Sequence, residues 1–371
     1  MNRTVIASLS AAGFLLAAAG VPGVPAHAAT RAAATPIKVN TRNWSGAAGF
    51  GTRGPAWYKD RSGVVHLQGA LTQTSTAGTA ANLLGTLPRA ARPGHNVFTI
   101  VHTHHGTYAD LEIASTGQLV VVAPRPPAVQ DYANLSLEGI TYRPGGRVAS
   151  INLNTGNWSP KADFGSRGPA WFKDRSGVVH LQGAVATLHS KCVVPCLIGT
   201  LPASAAPNRA IAMIVHTFSG TYAGVTIATN GQISEISPRS PALEDDTLVS
   251  LESITFRPSG RTNVIKLNKA HWATATGFGR RTPGWFIDSS GVVHLQGAAM
   301  QTSGGTGAGL IGTLPPAARP SHNVFTIVLT NGGTYADLKV GRNGQLNLVA
   351  PPAPLVTDFA LVSLEGITYR R

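Results

Sequence analysis

The stretch Gly63-Val-Val-His-Leu-Gln-Gly-Ala70 occurs three times in this chain of 371 residues. The other two copies lie at residues 177–184 and 291–298, so the spacing is 114 residues both times. A repeat of this length can bury a core of its own, unlike a solenoid repeat of about 20–50 residues, which needs its neighbours. The period therefore predicts three domains of one kind, which we call modules 1, 2 and 3, at 36–143, 149–257 and 263–371.

Within each copy, apolar and polar residues alternate with a period of two. In the repeated stretch Val65 and Leu67 share one face and His66 the other; further along, Leu111 is expected to point inward and Asp110 outward. Such alternation is typical of half-buried antiparallel strands. With about eight short strands between Gly/Pro turns in each copy, the fold class is all-β: three tandem antiparallel β-sandwich, jelly-roll-like modules.

The turn residues recur with the strands. Asp60-Arg-Ser-Gly63 is typical of a type I turn followed by a left-handed glycine, and Asn230-Gly231 and Asn343-Gly344 predict hairpin turns. The apolar phase slips at Glu138-Gly139, which indicates a β-bulge.

Short Pro/Gly joints connect the copies, and two arrangements are open. The copies could pack around a pseudo-threefold axis as a single-chain trimer, which buries equivalent surfaces three times, or follow one another as beads on a string. We favour the closed arrangement and expect a monomer with three modules.

The N-terminus has the features of an export signal. Arg3 supplies a positive charge, Val5 to Val21 is apolar, and Ala26-His27-Ala28 fits a cleavage site, so 1–28 is predicted to be a signal peptide. No later stretch is apolar for the about 20 residues that a spanning helix needs. We therefore expect a secreted, extracellular protein without a membrane span.

Two cysteines, Cys192 and Cys196, lie in one loop of module 2. Outside the cell a disulfide is the expected state of such a pair. Modules 1 and 3 have no cysteine, so the fold does not depend on the bond.

The formal net charge is +14, which predicts attraction to polyanions such as acidic wall polymers, nucleic acid or acidic glycans. The basic residues are scattered, without a Lys/Arg run or aromatic residues interleaved among them. This pattern disfavours specific nucleic-acid binding. The expected partner is an extracellular glycan or cell-wall polymer.

Two sets of repeated residues are candidate sites. His66, His180 and His294 recur in all copies, and around an axis their imidazoles could converge on a metal; the alternative is a surface or interface hydrogen bond. Each copy also has two tryptophans, of which one is expected in the core and the other could stack on a sugar. The candidate sugar-binding rings are Trp44, Trp158 and Trp272.

Nothing in the sequence marks an enzyme. The repeated acids Asp60 and Glu138 are explained by a turn and a bulge, and neither has the second repeated carboxylate that glycosidase chemistry requires. Hydrolase and P-loop motifs do not occur. We expect no catalytic residue and no cofactor.

The order of the repeated motifs resembles a known class of module. Trp57-Tyr-Lys-Asp60, the Gly-Val-Val-His-Leu-Gln-Gly stretch, Gly85-Thr-Leu-Pro88, Arg92-Pro93 and the segment from Leu135 to Arg143 are similar to the C-terminal β-sandwich modules of bacteriophage tail-fibre, baseplate and receptor-binding proteins. The resemblance covers all three copies, although module 2 has Pro207-Asn208 in place of the Arg-Pro pair. It implies a non-catalytic β module that often trimerises and binds surface saccharide or protein.

Together these features favour a secreted, non-catalytic protein that binds an extracellular saccharide. A structural or assembly protein without a small ligand is the alternative, and a secreted hydrolase is the third.

Overall fold

The structure is a computed structural model. It describes residues 33–46, 48–77, 81–104, 106–123, 133–161, 163–188, 195–218, 221–237, 248–276, 279–304, 307–350 and 361–371. The predicted signal peptide at 1–28 lies outside these residues. Within the described part, no helix is long and apolar enough to cross a membrane.

Module 1 consists of short antiparallel strands, as its alternating sequence predicts. The strands are β1 (Thr35–Pro36), β2 (Lys38–Val39), β3 (Trp44–Gly46), β4 (Ala56–Lys59), β5 (Val65–Gln68), β6 (Ala70–Gln73), β7 (Leu83–Thr86), β8 (Val97–Thr103), β9 (Thr107–Ile113), β10 (Gln118–Ala123), β11 (Leu135–Ser136) and β12 (Thr141–Tyr142). They form three sheets, in the orders β1-β4-β5-β12, β2-β7-β10-β9-β8 and β11-β6-β3.

Module 2 repeats this pattern. Its strands are β13 (Ala149–Ser150), β14 (Asn152–Leu153), β15 (Trp158–Pro160), β16 (Ala170–Lys173), β17 (Val179–Gln182), β18 (Ala184–Thr187), β19 (Cys196–Thr200), β20 (Ile211–Thr217), β21 (Thr221–Ile227), β22 (Gln232–Ser237), β23 (Val249–Ser250) and β24 (Thr255–Phe256). The sheets are β13-β16-β17-β24 and β14-β19-β22-β21-β20-β23-β18-β15. In module 1 the equivalent strands form two separate sheets. In module 2 the pairing of Thr217 with Val249 joins them into one.

Module 3 again has three sheets. Its strands are β25 (Asn263–Val264), β26 (Lys266–Leu267), β27 (Trp272–Thr274), β28 (Gly284–Ile287), β29 (Val292–Gln296), β30 (Ala298–Gln301), β31 (Leu310–Thr313), β32 (Val324–Leu329), β33 (Tyr335–Val340), β34 (Gln345–Ala350), β35 (Val362–Ser363) and β36 (Thr368–Arg370). The sheet orders are β25-β28-β29-β36, β26-β31-β34-β33-β32 and β27-β30-β35.

In the part of the chain that the structure describes, helical structure is limited to short 3-10 turns between strands. They occur at Ala48–Phe50, Arg89–Ala91, Asp163–Gly165, Pro316–Ala318 and Asn331–Gly333. The all-β prediction is confirmed. Each module has more and shorter strands than the eight expected, because the chain passes from one sheet to another within a few residues. Between β1 and β2, for example, Ile37 turns its side chain into the core and its N–H donates to the carbonyl of Pro55.

The predicted turns are confirmed. Gly63 has a φ of 81°, and Asp60 Oδ1 accepts from the N–H groups of Ser62 and Val64, at 2.8 and 2.9 Å. Gly139 in the predicted bulge has a φ of 82°. A left-handed backbone is the conformation that glycine adopts without steric cost, so these glycines fix the turns between strands.

The three modules pack around a pseudo-threefold axis. Tyr108, Tyr222 and Tyr335 meet edge to face, with ring centroids 5.1 to 5.4 Å apart in all three pairs. The side chain of Ser136 donates to the carbonyl of Phe325 in module 3, at 2.7 Å. Its counterparts Ser250 and Ser363 make the same bond to modules 1 and 2, at 2.6 Å each.

Stacked arginines repeat the same threefold relationship. Arg143 lies over the ring of Phe172, Arg257 over Phe286 and Arg370 over Tyr58. Each pair joins one module to the next, and the last joins module 3 back to module 1. The closed arrangement predicted from the repeats is the one that the structure has, and the described residues belong to one compact unit.

Candidate functional site

The three tryptophans expected to stack on a sugar are core residues. Trp44, Trp158 and Trp272 are 1%, 0% and 1% exposed. The indole N–H of Trp44 and that of Trp272 donate to the carbonyls of Ala81 and Ala308, both at 2.8 Å. A ring that the protein covers on both faces cannot stack on a sugar, so this expectation is wrong. The rings begin short strands and anchor them to the core.

The three repeated histidines do not form a metal site. Their Nε2 atoms lie 3.2, 3.1 and 3.0 Å from the Oδ2 atoms of Asp60, Asp174 and Asp288, in the turn of the same module. The rings stack at 4.6 to 4.7 Å on the aromatic residue of the neighbouring strand, namely Tyr58, Phe172 and Phe286. Among the described residues, no group of three or more His, Cys, Asp or Glu could hold a metal ion.

His66, His180 and His294 are therefore interface residues. The aromatic ring on which each stacks also carries the arginine of the preceding module, so imidazole, ring and guanidinium form a column at each junction. Burial lowers the pKa of His180, which its bond to Asp174 partly offsets. The metal prediction is corrected because the Nε2 atom of each imidazole is directed to a carboxylate of its own turn and the described residues contain no group of three ligands.

The repeated carboxylates are occupied by backbone groups. Glu138, Glu252 and Glu365 are buried, and each accepts the N–H of a glycine, Gly69, Gly183 or Gly297, at 2.6 to 2.8 Å. Asp60 and its counterparts cap turns. These bonds explain the repeated acids without a catalytic role.

Only one of the two cysteines can be placed. Cys196 begins β19 and is buried in the core of module 2. Cys192 lies outside the described residues, so the disulfide remains a prediction.

The cavity that the described residues form between the modules is too small for a saccharide. A cavity of about 90 Å³ lies between the modules, lined by residues 99–102, 213–215 and 326–329 and by the bulges of the three modules. This volume accommodates a few water molecules. A ligand of saccharide size has to bind elsewhere.

The candidate site is an open groove of about 770 Å³ where module 3 closes on module 1. Basic side chains dominate its lining, which contains Arg53, His322, Arg342, Arg370 and Arg371. The rest of the lining is Ala33, Ala34, Gly51, Thr52 and Ser321, so no lining residue among those described is acidic. We call this the closure groove.

The arginines of the closure groove come from both modules. Arg53 precedes β4, Arg342 lies in the turn between β33 and β34 and is exposed, and Arg370 ends β36 with its guanidinium packed on Tyr58. Guanidinium groups bind carboxylate, sulfate and phosphate in planar, two-point geometry, so the groove is suited to an anionic ligand.

His322 connects the groove to a buried carboxylate. Its Nε2 lies 2.8 Å from Oε1 of Glu138, and its Nδ1 lies 2.5 Å from Nη2 of Arg53. Arg53 also donates to Ser321 Oγ at 3.0 Å and to the carbonyl of Arg370 at 3.4 Å. Burial lowers the pKa of the Arg53 guanidinium, and Glu138 opposes this shift.

An equivalent groove of about 450 Å³ lies between modules 1 and 2 but has a different character. Its lining contains His95 and Arg167, the counterparts of His322 and Arg53, together with Ile151, Leu153 and Pro160. His95 Nε2 binds Glu252 Oε1 at 2.7 Å. This groove has one arginine, so the cluster of guanidinium groups belongs to the closure groove.

The third junction, between modules 2 and 3, differs again. The position of His95 and His322 is Arg209 there. The counterpart of Arg53 is Arg281, which is 6% exposed and donates to the carbonyl of Arg257 and to Gln296 Oε1. The buried guanidinium groups of Arg280 and Arg281 lie near Glu365. The three junctions therefore share one arrangement but differ in the residues that occupy the equivalent positions.

Sequence analysis did not find the closure groove. Arg53, His322 and Arg370 are up to 317 positions apart and belong to different modules. One signal was present, because Arg53 and Arg167 recur at the repeat spacing in front of Gly-Pro-Ala-Trp.

Comparisons with known proteins give little further guidance. No family model and no curated protein sequence matches the chain. Among solved structures, it is similar to the crystal structure of the BP39L lectin from Burkholderia pseudomallei, at 14% identity over 87% of this chain and 85% of the lectin chain, with a TM-score of 0.15. A TM-score this low carries no argument. None of these comparisons connects the chain specifically with bacteriophage tail proteins.

Proposed function

We propose that this protein is an exported, non-catalytic binding protein whose ligand is an acidic extracellular saccharide or cell-wall polymer. The observation that carries the proposal is the closure groove, with Arg53, Arg342 and Arg370 beside His322 and no acidic residue in its described lining. Its volume suits a short stretch of a polymer chain, and its open form leaves the chain free to continue on both sides.

The charge of the whole chain supports the same ligand class. A net charge of +14 raises the local concentration of a polyanion and speeds its association. The groove would then supply the specific contacts, through two-point hydrogen bonds from guanidinium groups to carboxylate, sulfate or phosphate.

A panel of immobilised polymers tests the proposal. The full chain is measured against polygalacturonate, dextran sulfate, poly(glycerol phosphate) and neutral dextran. We expect binding to at least one acidic polymer, none to neutral dextran, and weaker binding at high salt because exposed charges are screened over about 10 Å at 0.1 M.

Two variants locate the site. Arg342→Ala removes an exposed guanidinium from the closure groove, and we expect Kd to rise about fivefold, which corresponds to about 1 kcal/mol. Arg89→Ala removes an equally exposed arginine outside the groove and serves as the matched control. Equal losses in both variants would show that binding follows net charge and not the groove. Failure to bind any polymer would favour the structural or assembly role.

A further inference from the structure

The 3-10 turn at Asp163–Gly165 presents an aromatic ring to solvent. The side chain of Phe164 is 50% exposed, and no other aromatic side chain among the described residues is exposed to this degree. Its backbone is left-handed, with a φ of 56° and a ψ of 19°. This conformation is unfavourable for a residue with a bulky side chain. An exposed ring on an unfavourable backbone indicates a role other than packing.

The junction between modules 1 and 2 fixes this turn. Asn96 Nδ2 donates to the carbonyl of Phe164 at 2.7 Å, and the N–H of Asn96 donates to the carbonyl of Gly165 at 2.8 Å. In module 1, Phe50 occupies the equivalent position, and Asn323 makes the same two bonds at 2.8 and 2.9 Å. Phe50 is partly buried, and its φ is not positive. The bonds across the junction therefore do not by themselves require the left-handed backbone or the exposed ring of Phe164.

The ring of Phe164 has a buried base. It stacks on Phe218, with ring centroids 5.3 Å apart and an angle of 30° between the ring planes. Phe218 in turn packs against the buried cluster of Phe98, Ala184 and Leu248. The stack fixes the orientation of the Phe164 ring, and half of the side chain remains accessible to a ligand.

Positive charges lie in the same segment as the ring. Nζ of Lys161 is 5.3 Å from the centroid of the Phe164 ring. Arg167, three residues after Phe164, lines the groove of about 450 Å³ between modules 1 and 2 together with Pro160. Nε of Arg167 is buried and has no hydrogen-bond partner among the described residues. The segment 160–167 therefore combines an exposed ring with two cationic side chains beside an open groove.

A unit of an acidic saccharide matches this combination. The electron-rich face of an aromatic ring attracts C–H groups, which form the apolar faces of a pyranose. The carboxylate or sulfate of an acidic sugar is bound by ammonium and guanidinium groups. A stable protein partner needs about 800 Å² on each side, which a single exposed ring beside Lys161 and Gly165 does not supply.

We propose that Phe164 is a stacking platform for a pyranose ring of an acidic saccharide, with Lys161 and Arg167 binding the acidic groups of the same polymer. This inference rests on the proposed function for the class of ligand, but it assigns a second site, at the junction between modules 1 and 2. Its consequence is that the protein distinguishes polyanions built of sugar rings from polyanions without rings. Net charge and the guanidinium groups of the closure groove do not make that distinction.

The test compares two acidic polymers of pyranose rings, polygalacturonate and dextran sulfate, with poly(glycerol phosphate), which has no ring. Phe164→Asn removes the aromatic ring and keeps a residue that tolerates a left-handed backbone. For the pyranose polymer that the unmodified chain binds more tightly, we expect Kd to rise about fivefold in this variant. Kd for poly(glycerol phosphate) should not change.

Two further variants are controls. Phe164→Trp keeps a ring that can stack and should bind the pyranose polymer at least as tightly as the unmodified chain does. Val264→Asn removes an apolar side chain that is 68% exposed in module 3, so it should leave all Kd values unchanged.

The outcomes separate this inference from the proposed function. An unchanged Kd for the pyranose polymer in Phe164→Asn, an equal loss for poly(glycerol phosphate), or binding to poly(glycerol phosphate) alone would overturn the inference and leave the proposed function standing. Failure to bind any of the three polymers would overturn both. Circular dichroism checks the fold of each variant. Phe164→Gly, in which the left-handed backbone has no steric cost, gives a second reading if Phe164→Asn does not fold.

Discussion

His216 of module 2 and Asp110 of module 1 are buried in contact across their junction, with Nε2 3.3 Å from Oδ2. The same pair joins modules 1 and 3 as His102 and Asp337, at 3.1 Å. At the third junction the equivalent positions are Leu329 and Gly224. One position of the pseudo-threefold interface is therefore polar at two junctions and apolar at the third.

This relationship predicts strong coupling between the two residues. Asp110→Gly leaves His216 buried without its carboxylate and should lower the free energy of unfolding by about 3 kcal/mol. The double variant His216→Leu with Asp110→Gly copies the third junction and should lie within about 1 kcal/mol of the unmodified chain. Urea unfolding of the two single variants and the double variant measures the coupling. Additive losses would contradict it.

The turn carboxylates predict a loss of stability in acid. Burial raises the pKa of Asp60, but the bond from His66 and those from two backbone N–H groups outweigh it, so the pKa is below its ordinary value; the same holds for Asp288. A lowered pKa in the folded state adds stability that is complete above the ordinary carboxyl range and is lost as pH falls through the folded pKa.

We therefore compare the unmodified chain with the double variant Asp60→Asn and Asp288→Asn. The difference in free energy of unfolding should be largest near about pH 6 and shrink toward about pH 3. Burial raises the pKa of Asp337 and Glu365, which has the opposite effect on the pH dependence, but both residues are present in both proteins and cancel in the difference. A difference that is constant with pH would contradict the prediction.

Because the tryptophans are buried, replacing one of them should lower the free energy of unfolding without changing ligand binding. Trp44→Ala should cost about 3–5 kcal/mol, because it leaves a cavity in the core of module 1. Trp44→Phe fills most of that space and is the matched control. Below the melting temperature of Trp44→Ala, binding to acidic polymers should be unchanged. A stable Trp44→Ala protein that has lost saccharide binding would reinstate the ring as a sugar site.

The closed arrangement predicts a compact particle in solution. The chain without residues 1–28 should scatter as a monomer with a radius of gyration of about 20 Å, the value for a compact chain of this length. Three modules in a row would give a clearly larger value. Small-angle scattering distinguishes the two arrangements.

The cysteine pair predicts the absence of free thiols. Titration of the exported protein under non-reducing conditions should detect none, because Cys192 and Cys196 are expected to be oxidised. The small loop limits the stabilisation to about 2 kcal/mol. Two reactive thiols would refute the bond.

The sequence by itself determined the all-β class, the number of modules and their turns. The period of 114 residues, the alternation in the Gly63–Ala70 stretch and the turn at Asp60–Gly63 depend on residues close together in the chain, so local backbone preferences and burial predict them. Closure around an axis followed as the favoured alternative, since equivalent modules have equivalent surfaces to bury.

Only the tertiary structure decided what the faces of those strands contact. Alternation shows that His66 and Asp110 lie opposite the module core, but not whether water or a neighbouring module covers them. Asp110, expected to point outward, is completely buried against module 2, and the rings of Trp44 and its counterparts point into the core. The closure groove unites Arg53 and Glu138 of module 1 with His322 and Arg370 of module 3. Their proximity results from the meeting of the two ends of the ring, which no local pattern encodes.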